Sequence, residues 1–102
     1  MYQQGNVIFE PLSAMPAAAQ PVPRGPRGIV LAEGEATGHA HVVLDEEARA
    51  FRDESDLLLS LSREATVTHE EHGPITLPPG IYRVRRVREY DHFVEEAKPV
   101  QD

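Results

Sequence analysis

Seven glycines and nine prolines punctuate this chain of 102 residues, and the stretches between them read as short strands. Asn6–Glu10 is β-branched and aromatic, and Pro11 closes it. Ile29–Glu33 and His39–Leu44 flank a glycine-bracketed turn, 34–38. Asp56–Ser62 sets Leu57, Leu59 and Leu61 on one face, and Ala65–His69 does the same with Ala65, Val67 and His69. A short strand holds Ile75 and Leu77, Pro78-Pro79-Gly80 turns, and Ile81–Tyr90 reads as the longest strand. Its parity changes at Arg85-Arg86, which predicts a β-bulge that returns Val87 to the inner face. Asp45 is positioned to cap one short helix, Glu46–Arg52, with Ala48 and Phe51 on one side. The expectation is an all-β fold of six or seven strands, a small single-domain barrel or sandwich with at most one helix.

The segment 13–28 is rich in proline, alanine and glycine and reads as an extended connection within a single domain spanning 1–102. The polar stretch 93–102 reads as a frayed tail, with His92 solvated beside it. One modest core is available at this length.

Charge narrows the functions. Ten basic against seventeen acidic residues give a net charge of −7. A general nucleic-acid binder neutralises phosphates with Lys and Arg, so nucleic acid is not the expected partner. No apolar run approaches the ~20 residues of a membrane helix, and Met1–Gly5 has no leader character. The absence of cysteine excludes disulfides, thiolate zinc sites and Cys nucleophiles, and fits a cytoplasmic protein. No serine lies in a nucleophile elbow, and Gly25-Pro26-Arg27-Gly28 lacks the partners of a phosphate loop. Arg83, Arg85, Arg86 and Arg88 read as a solvated strand face paired with Glu46, Glu47, Asp53 and Glu54.

Histidine carries the positive signal. Four of the five histidines fall in two groups, His39-Ala40-His41 and His69-Glu70-Glu71-His72. Alternation puts His39, His41 and Val43 on one face, and His69 on the face of Val67. With both valine faces turned inward, three imidazoles meet in one interior, where unsatisfied polar groups are costly. A divalent metal would satisfy them together: zinc first, with iron, manganese or nickel as alternatives. The candidate ligands are His39, His41, His69, His72 and Glu46, with Glu70 and Glu71 as catalytic proton acceptors beside them. The other reading sets each pair at a solvated turn or an oligomer seam, hydrogen-bonded and metal-free.

From Gly34 onward the chain resembles a shortened cupin. Gly34, His39, His41 and Glu46 follow the family's first motif, with the glycine one residue closer than usual. Gly73, Pro78 and Gly80 echo the second, where Arg83 stands in the histidine position. The resemblance implies His39, His41 and Glu46 as metal ligands, with His69 or His72 in place of the fourth. The pattern Gly-His-Ala-His, His-Glu-Glu-His-Gly-Pro-Ile and Leu-Pro-Pro-Gly-Ile-Tyr-Arg-Val also resembles a group of small uncharacterised bacterial β-proteins.

Two functions follow. One is a metal-binding β protein, a homo-oligomer with a small-molecule ligand, in which the metal, if the protein is an enzyme, drives hydrolysis or oxygen chemistry. The other is a non-enzymatic β module that assembles into a ring or contacts a protein or RNA partner.

Overall fold

A computed structural model describes residues 1–34 and 37–87. Ten strands follow in order: β1 (Tyr2–Gln4), β2 (Val7–Leu12), β3 (Gln20–Val22), β4 (Ile29–Glu33), β5 (Ala40–Val43), β6 (Ala48–Asp53), β7 (Asp56–Leu61), β8 (Ala65–Thr68), β9 (Ile75–Leu77) and β10 (Gly80–Arg86). They form two antiparallel sheets, β1-β2-β10-β7-β6-β3 and β4-β5-β8-β9. The inner faces enclose one core that includes Val7, Phe9, Leu59, Tyr82 and Val84 from the large sheet and Ile29, Val43, Val67 and Leu77 from the small one. This is an open sandwich, the all-β class that the alternation predicts.

Strand alternation builds it. In β2, Val7 and Phe9 are fully buried while Ile8 and Glu10 are half-buried, and in β8 Ala65 and Val67 are inside with Thr66 and Thr68 outside. Beyond Phe9 the pairing of β2 with β1 ends, so Pro11 falls where β2 has a single neighbour and proline is tolerated.

Three expectations are corrected. No helix spans Glu46–Arg52, because Asp45 accepts the N–H of Glu47 in a turn and β6 follows. There Ala48 and Ala50 alternate into the core, and Glu54-Ser55 returns the chain to β7 with Asp53 opposite Asp56. No bulge occurs at Arg85-Arg86. β10 pairs with β2 in unbroken register to Arg86 opposite Val7, and Val87 N–H continues to the Asn6 carbonyl. Beyond Val84 the strand outruns the core, so nothing forces Val87 inward. Arg83, half-buried, pairs with Asp56 and Arg85 with Glu10, rather than with Glu46, Glu47, Asp53 or Glu54. The bulge lies instead in β4, where Leu31 is the extra residue between Val30 opposite Val42 and Ala32 opposite His41. The 13–28 connection includes the short β3, an edge strand paired with β6. The tail 93–102, His92 and the strand end 88–90 lie outside the described residues.

Candidate functional site

β5 and β8 position the histidines by register. Val42 pairs with Thr68 and Val43 with Val67, so one further step sets His69 opposite His41. The rings of His41 and His69 have centroids 4.3 Å apart, those of His69 and His72 4.7 Å, of His39 and His69 5.8 Å, and of His41 and His72 6.1 Å. All four histidines singled out in the sequence therefore meet at one end of the sandwich. They border a cavity of about 570 Å³ that is also lined by Gly5, Asn6, Thr37, Glu71 and Arg86.

His41 is the anchored member, only 4% exposed. Its Nδ1 lies 2.8 Å from Oε1 of Gln4, itself 3% exposed. The Gln4 amide nitrogen donates to the carbonyls of Val67 at 3.0 Å and Gly73 at 2.9 Å. Carbonyls only accept, so the Gln4 oxygen must be the acceptor facing His41. His41 therefore carries its proton on Nδ1 and keeps the Nε2 lone pair free of a proton. Burial, followed by the charges of His69, His72 and Arg86, lowers its pKa from 6.5 to about 4, against a smaller opposing effect of Glu70. At neutral pH the ring is a neutral base.

His69 has the opposite tautomer. Its Nδ1 accepts the backbone N–H groups of Glu71 at 3.0 Å and His72 at 3.2 Å, which leaves the ring proton on Nε2. His72 is exposed and lies against Gly5. Gly5 has φ 59°, and a Cβ there would meet His72 Nε2, so both the backbone and the His72 ring favour glycine at this turn. His39 Nδ1 lies 3.6 Å from Glu71 Oε2.

The two neighbouring carboxylates differ. Glu70 accepts the Ala40 N–H at 2.8 Å, and this bond, with one to its own N–H, holds its carboxyl below the usual range. Glu71 borders the cavity. Arg86 shares the inward parity of Tyr82 and Val84, crosses to the small sheet and donates to the Glu33 carbonyl at 2.8 Å. Glu46 is exposed in the turn beyond β5, away from the cavity lining, and Arg83 is held by Asp56 at 3.0 Å. Among the described residues, no group of three His, Asp or Glu side chains is disposed to hold a metal ion as it stands.

Gln4 is the site residue that strand alternation among the histidines did not point to. A signal for it exists: Gly5-Asn6 is a two-residue hairpin turn, which makes Tyr2–Gln4 a strand and turns Gln4 inward with Val7 opposite.

Residues 3–87 match the family described as Domain of unknown function (DUF8820). The chain belongs to that family. No curated protein and no solved structure matches it. Gln4, the four clustered histidines, Glu70, Glu71 and Arg86 all fall within the DUF8820 span, so the cavity is part of the domain rather than an addition to it.

Proposed function

We propose that this DUF8820 domain binds a divalent metal ion, zinc first, at the histidine cluster. The observation that carries the reading is the ring spacing. Imidazole nitrogens sit about 2.0–2.1 Å from zinc, which puts the centres of two ligating rings roughly 5 Å apart. His41 and His72 are 6.1 Å apart and the separations that include His69 are 4.3–5.8 Å, values on either side of that spacing, which supports a ligand set reached by side-chain rotation. Gln4 supports it further: a ligating histidine usually donates its other N–H to an oxygen that fixes the ring, as His41 does here.

His41 through Nε2, His39 and His72 are the proposed nitrogen ligands. His69 joins them only by releasing the two backbone N–H groups on its Nδ1. Of the three ligands that the cupin resemblance implies, His39 and His41 border the cavity and Glu46 does not, so Glu46 is left out of the proposed set. A bound metal would supply a Lewis acid and lower the pKa of a coordinated water. Glu71, beside the cavity, is the carboxylate placed to accept a proton, since Glu70 is engaged by Ala40.

Metal analysis of protein purified without a histidine tag, followed by zinc titration of the chelated protein, tests this. One equivalent per chain is expected, with affinity lost in His41→Ala and falling as acid protons compete for the imidazoles. A flat titration rejects it. The alternative, a self-assembling β module, rests on the four edge strands β1, β3, β4 and β9. In that case light scattering would show an oligomer whose size is indifferent to metal.

A further inference from the structure

Resting on that reading of the cavity, we infer that its ligand is a small organic monocarboxylate, clamped by Arg86 with its remainder over the imidazoles. Three arginines of β10 make the contrast. Arg83 is paired with Asp56 at 3.0 Å and Arg85 with Glu10 at 3.8 Å, both from the outer face. Arg86 has inward parity, borders the cavity and forms no ion pair among the described residues. Its one hydrogen bond, to the Glu33 carbonyl, fixes the guanidinium without neutralising it.

Among the described residues Glu71 is the one carboxylate that lines the cavity, while Glu33 and Glu70 are engaged outside it. Glu33 faces Arg27 at 3.3 Å, Glu70 is held by Ala40 N–H and lies 4.0 Å from Arg27, and Glu71 lies 3.6 Å from His39. A guanidinium held on one edge, with no partner on the other among the described residues, matches a carboxylate in a two-point fork. Among the described residues, one such cation with Glu71 beside the same cavity suits a monoanion better than a phosphate dianion. Behind the charge, the His69 Nε2–H offers a donor, and in the metal-free form the His41 Nε2 lone pair offers an acceptor. The imidazoles, tilted 14–86° to one another, border the cavity with a mixture of ring edges and faces that an apolar or aromatic body can pack against, and about 570 Å³ is ample room for a small molecule.

Benzoate is the probe, with acetate and inorganic phosphate beside it, titrated into the full chain both metal-free and zinc-loaded. The readout is the NMR signals of the imidazole C–H groups. Expected is a saturable benzoate shift, weaker acetate, weaker phosphate, and at least tenfold loss of benzoate affinity in Arg86→Ala. Arg86→Lys, which keeps the charge but not the fork, should recover part of it, and Arg85→Ala should bind like the parent. No saturable benzoate response in either form overturns the inference, as does parental affinity in a folded Arg86→Ala, or phosphate binding more tightly than benzoate. Failure of the metal reading appears separately, as a flat zinc titration that leaves the benzoate result standing.

Discussion

Two parts of the sandwich are tied by polar side chains, and they use them differently. In the β3–β4 connection, Arg24 donates to the carbonyls of Leu44, Asp45 and Ala48 at 3.0–3.1 Å. Every partner is a backbone acceptor, and the interaction fixes the β5–β6 turn. At the histidine end, Gln4 also donates to two backbone carbonyls, but its oxygen turns to His41 and leaves that cavity-lining ring with an unprotonated Nε2. A polar network that terminates on carbonyls is structural. One that terminates on an unprotonated imidazole nitrogen in a cavity has chemical capacity left over.

The largest expected effect breaks the histidine end. Gln4→Leu preserves bulk but orphans the Val67 carbonyl, the Gly73 carbonyl and the His41 Nδ1–H. Leaving buried polar groups unpaired costs about 1–3 kcal/mol each, so with partial relaxation the loss should be about 3 kcal/mol. Urea unfolding measures it. NMR should also show His41 losing its fixed Nδ1–H tautomer, and parental stability would mean that Gln4 does not hold the ring.

Next comes pH. The pKa of His41 is about 4 when folded against 6.5 as the ordinary value, so between these values the unfolded chain binds the extra proton. The stabilising effect is complete above pH 6.5 and is lost as pH falls towards 4. At about 1.4 kcal/mol per pKa unit, the gap of about 2.5 between 6.5 and about 4 comes to roughly 3.4 kcal/mol, and discounting for the open cavity beside the ring leaves on the order of 2 kcal/mol. The groups facing His41 are His69, His72, Arg86 and Glu70, so the comparison must be made against His41→Phe in metal-free protein. The parent should lose more stability than the variant over this window. Equal losses would show that His41 titrates normally.

Gly5→Ala sharpens the contrast with a smaller effect. A left-handed φ of 59° costs an L-residue about 1 kcal/mol, and the new methyl must displace the exposed ring of His72. Stability should fall by about that amount, while zinc affinity falls more than tenfold. Unchanged affinity would remove His72 from the ligand set.

How much of this was legible depended on where each residue stands relative to the core. β5 and β8 are half-buried strands, so alternation alone set His39, His41 and His69 inward with Val43 and Val67. β6 misled because Ala48 and Phe51 fall three apart. Its true pattern, Ala48 and Ala50 inside, is dictated by pairing with β7, and tertiary pairing overrides weak local preference. Arg86 was obscured by the assumption that β10 stays within the core along its whole length. Val87 then demanded a bulge, whereas the strand leaves the sandwich and delivers Arg86 to the rim. Gln4 was hidden for a different reason. A glutamine carries no hydrophobic signal, and the carbonyls that accept its amide belong to Val67 and Gly73, more than sixty residues along the chain.

The smallest effect belongs to the carbonyl-bound end. Arg24→Ala removes three hydrogen bonds, but the guanidinium is exposed and water can replace it at the Leu44 and Asp45 carbonyls. Only the bond to Ala48 is partly buried. The net loss should be about 1 kcal/mol, the ordinary worth of one such bond. Zinc affinity, the His41 tautomer and the pH dependence should all be parental, because nothing in the turn between β5 and β6 borders the cavity. A melt shifted by that amount with unchanged imidazole signals separates the two ends. If Arg24→Ala instead perturbs the His41 signals, the ends are coupled through β5, and the division between a structural and a chemically open network fails.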